Sequence, residues 1–180
     1  LGVFIVEGDD RMHEKRRCTA GELEDAIRLH GDQVYRMAYA VVRNRADADD
    51  IFQEVFLKFF EAAPAFAGAE HQKAWLLRVT INRARSELRS AWRRRVVALS
   101  EEVAFSDPES NDLDQTLRRL SRPHRTVIHL FYYEGYTTAQ IAVLLGKRPS
   151  TVRTQLTRAR ASLSRLLKED EACFLTVTEK

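Results

Sequence analysis

Residues 134–163 read E-G-Y-T-T-A-Q-I-A-V-L-L-G-K-R-P-S-T-V-R-T-Q-L-T-R-A-R-A-S-L, and the punctuation of this stretch decides the fold of the C-terminal half. Gly135 is placed to end one helix, because glycine enters the left-handed C-terminal conformation without a steric penalty. Thr137, with Gln140 three residues on, forms a capping box that starts the next helix. Ile141, Ala142, Leu144 and Leu145 give that short helix its apolar face, and Gly146 permits a tight turn. Pro149 and Ser150 restart the chain as a helix, with Ser150 predicted as its cap. The new helix carries Val152, Leu156, Ala159, Leu163 and Leu166 alternately four and three residues apart, which is one buried stripe. Arg153, Thr154, Thr157, Arg158 and Arg160 fall on its other faces. The pattern is a helix-turn-helix. A turn between two helices also occurs in bundles that bind nothing. Here short hydroxyl side chains and guanidinium groups open the second helix, as reading base edges in a major groove requires.

The composition sets outer bounds. With 180 residues, 44% hydrophobic, the chain holds one domain or two small ones with packed cores. Charged residues make up 31% and no apolar run approaches the roughly 20 residues of a membrane span, so membrane insertion is not expected. The opening Leu-Gly-Val-Phe-Ile-Val lacks a basic leader and does not read as a secretory signal; Met12 is a second plausible start. The two cysteines, Cys18 and Cys173, sit near opposite ends and the five histidines are scattered, so no metal site and no cofactor is expected. Such cysteine usage fits a reducing cytosol. The net charge of +3 conceals an uneven distribution. Residues 78–95 and 147–168 are strongly basic, whereas 47–61 and 101–114 are acidic. That alternation suits DNA on some faces and a basic protein partner on another.

Helical periodicity runs through almost all of the chain, and no alternating strand pattern of useful length occurs. Thr19 and Glu22 form a second capping box, opening a helix with Leu23, Ile27, His30, Val34, Met37 and Val41 on one stripe. Asn44 to Ala46 are predicted as a turn and Asp47 as the cap of a second helix, whose Ile51, Phe52, Val55, Phe56, Phe59 and Phe60 make a wide apolar face. Pro64 and Gly68 mark residues 62–70 as a loop. A long helix then spans about 72–96, with Leu77, Ile81, Ala84, Leu88 and Ala91 or Trp92 on its seam. Residues 97–112, rich in Ser, Asp and Glu, read as an acidic flexible linker. The expected architecture is therefore all-α: an extension over 1–18, a helical bundle over 19–96, the linker 97–112, a helix-turn-helix domain over 113–168, and a tail over 169–180 without a clear assignment.

A second basic helix supports a DNA-binding reading. At 100° per residue, Arg78, Asn82, Arg85, Arg89 and Arg93 fall within an arc of about 80°, roughly 110° from the apolar seam. Such a stripe tracks a phosphate backbone while asparagine or arginine reaches a base edge. A solvated arginine face is the plain alternative. The scarcity of acidic partners four residues away, and the continuation into Arg94 and Arg95, count against it. Before this helix, the segment 66–71 offers Phe66 and His71 as candidates to border an unstacked base, although Phe66 and Trp75 would equally close the bundle core. On the acidic second helix, Asp50, Gln53, Glu54 and Leu57 point away from the phenylalanine face and suit docking to a basic helical partner. No Gly-rich phosphate loop, carboxylate pair or nucleophile motif is present in the sequence, so no catalytic residue is expected.

Four segments, in this order, resemble the extracytoplasmic-function group of the bacterial sigma-70 family of RNA polymerase sigma factors. Residues 47–60, D-A-D-D-I-F-Q-E-V-F-L-K-F-F, are similar to the family's core-polymerase-binding helix, and 66–84, F-A-G-A-E-H-Q-K-A-W-L-L-R-V-T-I-N-R-A, to its loop and helix for the minus-ten promoter element. Residues 134–146 and 150–163 resemble the domain that reads the minus-thirty-five element. The resemblance covers about residues 20–167. It implies that Asp50, Gln53, Glu54 and Leu57 contact core RNA polymerase and that Phe66 to His71 border a pocket for a flipped base. It further implies that Arg78, Asn82, Arg85 and Arg89 contact promoter DNA, and that Ser150, Thr151, Arg153, Thr154, Thr157 and Arg158 enter the major groove upstream. A linker threading toward the polymerase active-site channel and an anti-sigma factor as regulatory partner are also implied. Ser86 stands where the family usually has aspartate, Gln140 where glutamate is commoner, and Lys147-Arg148-Pro149-Ser150 replaces the usual start of the recognition helix. These departures bear on promoter sequence rather than on fold. The rival reading is a helix-turn-helix regulator that binds DNA without polymerase, which leaves the phenylalanine-rich helix and the acidic linker unexplained.

Overall fold

The computed structural model describes residues 18–98 and 112–177. Most of the extension and most of the linker predicted from the sequence lie outside these residues. Three helices, α1 (Ala20–Val42), α2 (Arg45–Ala62) and α3 (Ala69–Ala98), pack mutually into the N-terminal bundle. Four more, α4 (Asp112–Arg119), α5 (Arg122–Ile128), α6 (Thr138–Leu145) and α7 (Pro149–Val177), form the C-terminal half, with a π-helical turn over His129–Tyr133. The fold is all-α and holds the helix-turn-helix that the sequence predicts.

Capping chemistry explains most boundaries and corrects several. Thr19 and Glu22 make both bonds of their capping box at the start of α1, as do Thr137 and Gln140 at the start of α6. Gly135 and Gly146 are left-handed, at φ 73° and 63°. Asn44, rather than Asp47, caps α2, its Oδ1 accepting from the backbone of Ala46 and Asp47. An asparagine in extended conformation reaches the orphan amides of the first turn, and Asp47 is left beside the helix dipole. Ser150 does not cap α7 either. Pro149 is already helical, and Val152 N–H donates to Arg148 O. Proline suits the first helical position because its missing amide would have had no acceptor there. Cys18 belongs to the core rather than to the extension, and the tail is helical as far as Val177.

The cores fill as the periodicity dictates, with shifts at the edges. Val34, Met37, Ile51, Val55, Leu76, Leu77 and Ile81 are fully buried between α1, α2 and α3. Ile27 and Phe60, predicted inward, are 37% and 42% exposed. The bundle has only three helices, so its neighbours cover less of each helix than the apolar arcs span. In the C-terminal half, Val127, Leu130, Ile141, Val152, Leu156 and Ala159 make a smaller core.

The two halves are not held apart by their linker. They share one continuous apolar cluster, and α1 touches α5 while α3 touches α6. Arg125, itself buried, links them. Its Nε donates to Ala40 O at 3.0 Å and its Nη2 to Val41 O at 3.5 Å, while its Nη1 donates to Arg118 O at 2.9 Å and Leu120 O at 2.8 Å. The last carbonyls of a helix lack intrahelical partners. One guanidinium therefore satisfies the C-terminal ends of α1 and α4 together and places its charge against both helix dipoles.

Candidate nucleic-acid interface

The helix-turn-helix positions α7 by burying one of its faces. Val152, Leu156 and Ala159 are sealed, and Leu163 is half-buried. Ser150, Thr151, Arg153, Thr154, Thr157 and Arg158 are all exposed on the remaining surface near its N-terminus. The Thr154 hydroxyl donates back to Ser150 O at 3.0 Å, which leaves its lone pairs outward. Arg153 and Arg158 make no ion pair among the described residues. Arg160, grouped with them in the sequence, is differently placed. Its Nε donates to the Tyr132 hydroxyl at 2.8 Å and its guanidinium lies 5.0 Å from the Phe131 ring centre, so it is occupied within the domain.

On α3, Asn82 and Arg89 are exposed, whereas Arg78 and Arg85 are half-buried. Burial, with the Arg89 charge beside it, pulls the Arg85 guanidinium below its ordinary range. The loop before α3 is an aromatic knot. The Phe66 ring stacks on Phe59 at 6.0 Å between centroids and meets Trp75 and His71 edge-on at 5.9 and 5.5 Å. His71 Nδ1 accepts from Ala67 N–H at 3.3 Å, which fixes the imidazole against the loop. Phe66 thus forms a wall. With Leu29, Phe59, Pro64 and Gln72 it lines an open hollow of about 300 Å³, floored by Cys18 and Ala26.

Asp50, Gln53 and Leu57 are exposed on α2, and Leu57 is 57% accessible. Exposed Phe60 stands three residues from Leu57, an apolar neighbour that the sequence had assigned to the core. The signal was there: an apolar arc wider than two neighbouring helices cover. Glu54 is engaged by Arg83 of α3, whose Nη2 donates to Oε1 at 2.7 Å and whose Nε contacts Oε2, and Arg83 also bonds Glu87. The Arg83 hydrogen bond holds the Glu54 carboxyl below its ordinary range.

Where the halves meet lies a polar cluster that no motif announced. Lys73 of α3 reaches Glu134 Oε2 at 3.1 Å and Glu134 O at 3.3 Å, and its ammonium lies 5.3 Å from the Tyr136 ring centre. His129 Nε2 is 3.3 Å from Glu134 Oε1, near enough for charge attraction when protonated but off the line of a hydrogen bond. The π-helical turn delivers these groups. Its widened ring, closed by Glu134 N–H to His129 O at 3.2 Å, leaves Glu134 buried just before Gly135, and Tyr136, on the far side of that glycine, is buried as well. Burial pushes the Glu134 carboxyl up, but His129 and Lys73 outweigh it, and the group titrates below the usual carboxylate range. Burial, aided by Glu70 and Glu134, raises the Tyr136 phenol.

A stability test follows from Glu134. Because its carboxyl is more acidic folded than unfolded, its contribution is complete above the unfolded value and is lost as pH falls through the folded one. The stability difference between the wild type and Glu134→Gln should be full above about pH 5 and shrink steadily below it. Urea denaturation at neutral and acid pH measures this; a difference independent of pH contradicts it.

Comparison with known proteins agrees with this layout. A Sigma-70 region 2 model matches residues 26–94 and a Sigma-70 region 4 model matches residues 110–163, with most of the acidic stretch between them. The chain is 32% identical over 151 residues to the ECF RNA polymerase sigma factor SigL of Mycobacterium tuberculosis, covering 78% of this chain and 85% of SigL. It is 29% identical over 164 residues to the RNA polymerase sigma factor SigV of Bacillus subtilis, covering 87% and 98%. Against SigE of Mycolicibacterium smegmatis, 31% identical over 153 residues, the match takes in 78% of this chain and 59% of that relative. Among solved structures, the sigma factor RpoE of Bartonella quintana, in complex with the anti-sigma factor NepR, has the same fold, with a TM-score of 0.70 at 22% identity over 83% of this chain and 98% of RpoE. CnrH, in complex with the cytosolic domain of CnrY, aligns with a TM-score of 0.61 at 26% identity over 84% of this chain and 91% of CnrH. A region 2 bundle preceding a region 4 helix-turn-helix, with likeness to such relatives over 78% to 87% of this chain, means that the chain belongs to the extracytoplasmic-function group of the sigma-70 family of RNA polymerase sigma factors.

Proposed function

We propose that this chain is a non-enzymatic, cytoplasmic initiation subunit that joins core RNA polymerase, directs it to promoters and helps open the duplex. The observation that carries the reading is on α7: six short or cationic side chains are exposed together on a helix whose opposite face is anchored in a core. Ser150, Thr151, Arg153, Thr154, Thr157 and Arg158 would read the minus-thirty-five element. Arg78, Asn82, Arg85 and Arg89 would hold the minus-ten element, with Phe66 and His71 beside a base lodged in the hollow. Phosphate contacts set the register, a few side chains specify bases, and capture of an unpaired base favours melting. Asp50, Gln53, Leu57 and Glu54 would meet the polymerase, and an anti-sigma factor would compete for such surfaces. No helix among the described residues is long and apolar enough to cross a membrane.

In vitro transcription with core polymerase and genomic promoter fragments tests this reading. Promoter-selective transcripts are expected; DNA binding without any such transcript would favour a polymerase-independent regulator. The Glu54–Arg83 pair permits a finer test. Glu54→Ala should weaken association with core polymerase by roughly 1 kcal/mol, about fivefold, whereas Arg83→Gln should not. Equal losses would mean that Glu54 acts by tying α2 to α3 rather than by touching the polymerase.

A further inference from the structure

Gln155 lies on α7 among the residues assigned to promoter DNA, yet it belongs to neither face of the helix. At 100° per residue it falls midway between exposed Thr151 and buried Ala159, about 40° from each. It is accordingly half-buried. Lys147, in the turn that Gly146 makes between α6 and α7, reaches it, Nζ donating to Gln155 Oε1 at 3.1 Å. The backbone of Lys147 is itself pinned, its N–H donating to Ala142 O at 2.8 Å. One side-chain hydrogen bond thus ties the turn to the second turn of the recognition helix.

That bond decides what Gln155 recognises. A glutamine amide that rotates freely offers an acceptor and two donors, and its usual partner on DNA is adenine, through N6 and N7 together. An ammonium has no acceptor, so the amide turns its oxygen to Lys147 and its NH2 outward. With the oxygen engaged, the pair presents N–H donors: two on the amide and those left on the ammonium. The adenine amino group finds no free partner there. An oxygen acceptor does, and an anionic one answers Lys147 best.

Position and charge choose among the acceptors that DNA carries. Ser150, Thr154 and Thr157 occupy the middle of the exposed arc, where a helix in the major groove meets base edges. Gln155 and Lys147 sit at the margin, where the sugar-phosphate wall runs. Lys147 makes no ion pair among the described residues, and burial with the Arg85 charge pulls its ammonium below the ordinary amine range. An anion beside it would offset that crowding.

We propose that Lys147 and Gln155 form a phosphate clamp at the margin of the helix-turn-helix, in which Lys147 holds the Gln155 amide with its donors toward the DNA backbone. This inference rests on the DNA binding proposed above. It makes Gln155 a contact that sets register and not a reader of adenine, with Lys147 as its positioning residue.

Fluorescence anisotropy of short duplexes of several sequences, measured against salt, tests the clamp on the full chain, alone and with core polymerase added. Lys147→Met should lower affinity several-fold on every duplex and flatten the slope of log affinity against log salt by about 0.9, the share of one phosphate. Gln155→Ala should weaken all sequences alike but keep the slope, since it removes no charge. Gln155→Glu, whose carboxylate neutralises Lys147 from within, should behave like Lys147→Met, whereas Lys147→Arg should keep the slope of the wild type. Because Lys147 orients the amide, adding Gln155→Ala to Lys147→Met should cost scarcely more than Lys147→Met alone. Losses confined to duplexes with adenine at one position, fully additive losses, or single variants that bind as the wild type does would each overturn the clamp. Should circular dichroism show that Lys147→Met loses helicity, Gln155→Glu decides by the same criteria. The expected pattern without any promoter-selective transcript sinks the proposed function alone, and normal transcription with the slope unchanged sinks the clamp alone. Binding to no duplex, with or without polymerase, sinks both.

Discussion

Replacing Arg125 by methionine is expected to destabilise the chain by about 3 kcal/mol, the largest effect of any single change outside the apolar cores. Methionine keeps much of the stem's volume and removes the guanidinium. Four carbonyls, those of Ala40, Val41, Arg118 and Leu120, then lose a donor. Each buried acceptor left unsatisfied costs about 1–3 kcal/mol. The full sum is not reached, because separation of the halves readmits water to the end of α1. The α4 side has no such escape, since Arg118 and Leu120 lie in the same half as Arg125. Arg125→Lys should recover only part of the loss, because an ammonium cannot match a planar fork aimed at two helix ends. Urea denaturation of the three proteins measures the order. A loss under about 1 kcal/mol would mean that water replaces the guanidinium and that the two helix ends do not depend on it.

Arg153→Ala carries the largest expected effect on function. A bidentate contact from arginine to a guanine edge is worth about 1–3 kcal/mol of discrimination, or roughly 5- to 150-fold in affinity. Arg153 is exposed in the second turn of α7, where base-reading residues of a recognition helix sit. Binding to a minus-thirty-five duplex should fall by this factor, while binding to scrambled duplex at the same salt should change little. A uniform loss on both would make Arg153 a phosphate contact. Arg160→Ala is the internal control. Its guanidinium already serves Tyr132 and Phe131, so promoter affinity should hardly move.

The contrast between Arg153 and Arg160 shows how far a sequence reads. Helical periodicity put both outside the buried stripe of α7, correctly, because burial of one face follows from spacing along a single helix. Which outward arginine is free for DNA depends on an aromatic pair some thirty positions earlier, and no spacing rule contains that. The same division runs through the caps. Both capping boxes are local reciprocal bonds within four residues and were legible in full. The ends of α1 and α2 were legible as a turn at 44–46 and a loop from 62, but the left-handed residues that close the two helices, Arg43 and Ala63, are not glycines and carried no signal of that conformation. Phe60 and Ile27 were misplaced because a three-helix bundle leaves part of each apolar arc uncovered.

By itself the sequence determined the all-helical fold, the helix-turn-helix, the basic stripe on α3 and the resemblance to a family, since each rests on short-range chemistry: caps, turns and the helical period. Tertiary structure alone decided that the two halves close on each other. Arg125, Lys73, Glu134 and Tyr136 read as ordinary surface or core residues in one dimension. They become a junction only when the ends of α1 and α4 lie close enough to leave their carbonyls to one guanidinium, and when a π-helical turn aims a carboxylate across the gap. Those conditions depend on distances between residues up to 85 positions apart, and a local code does not carry them.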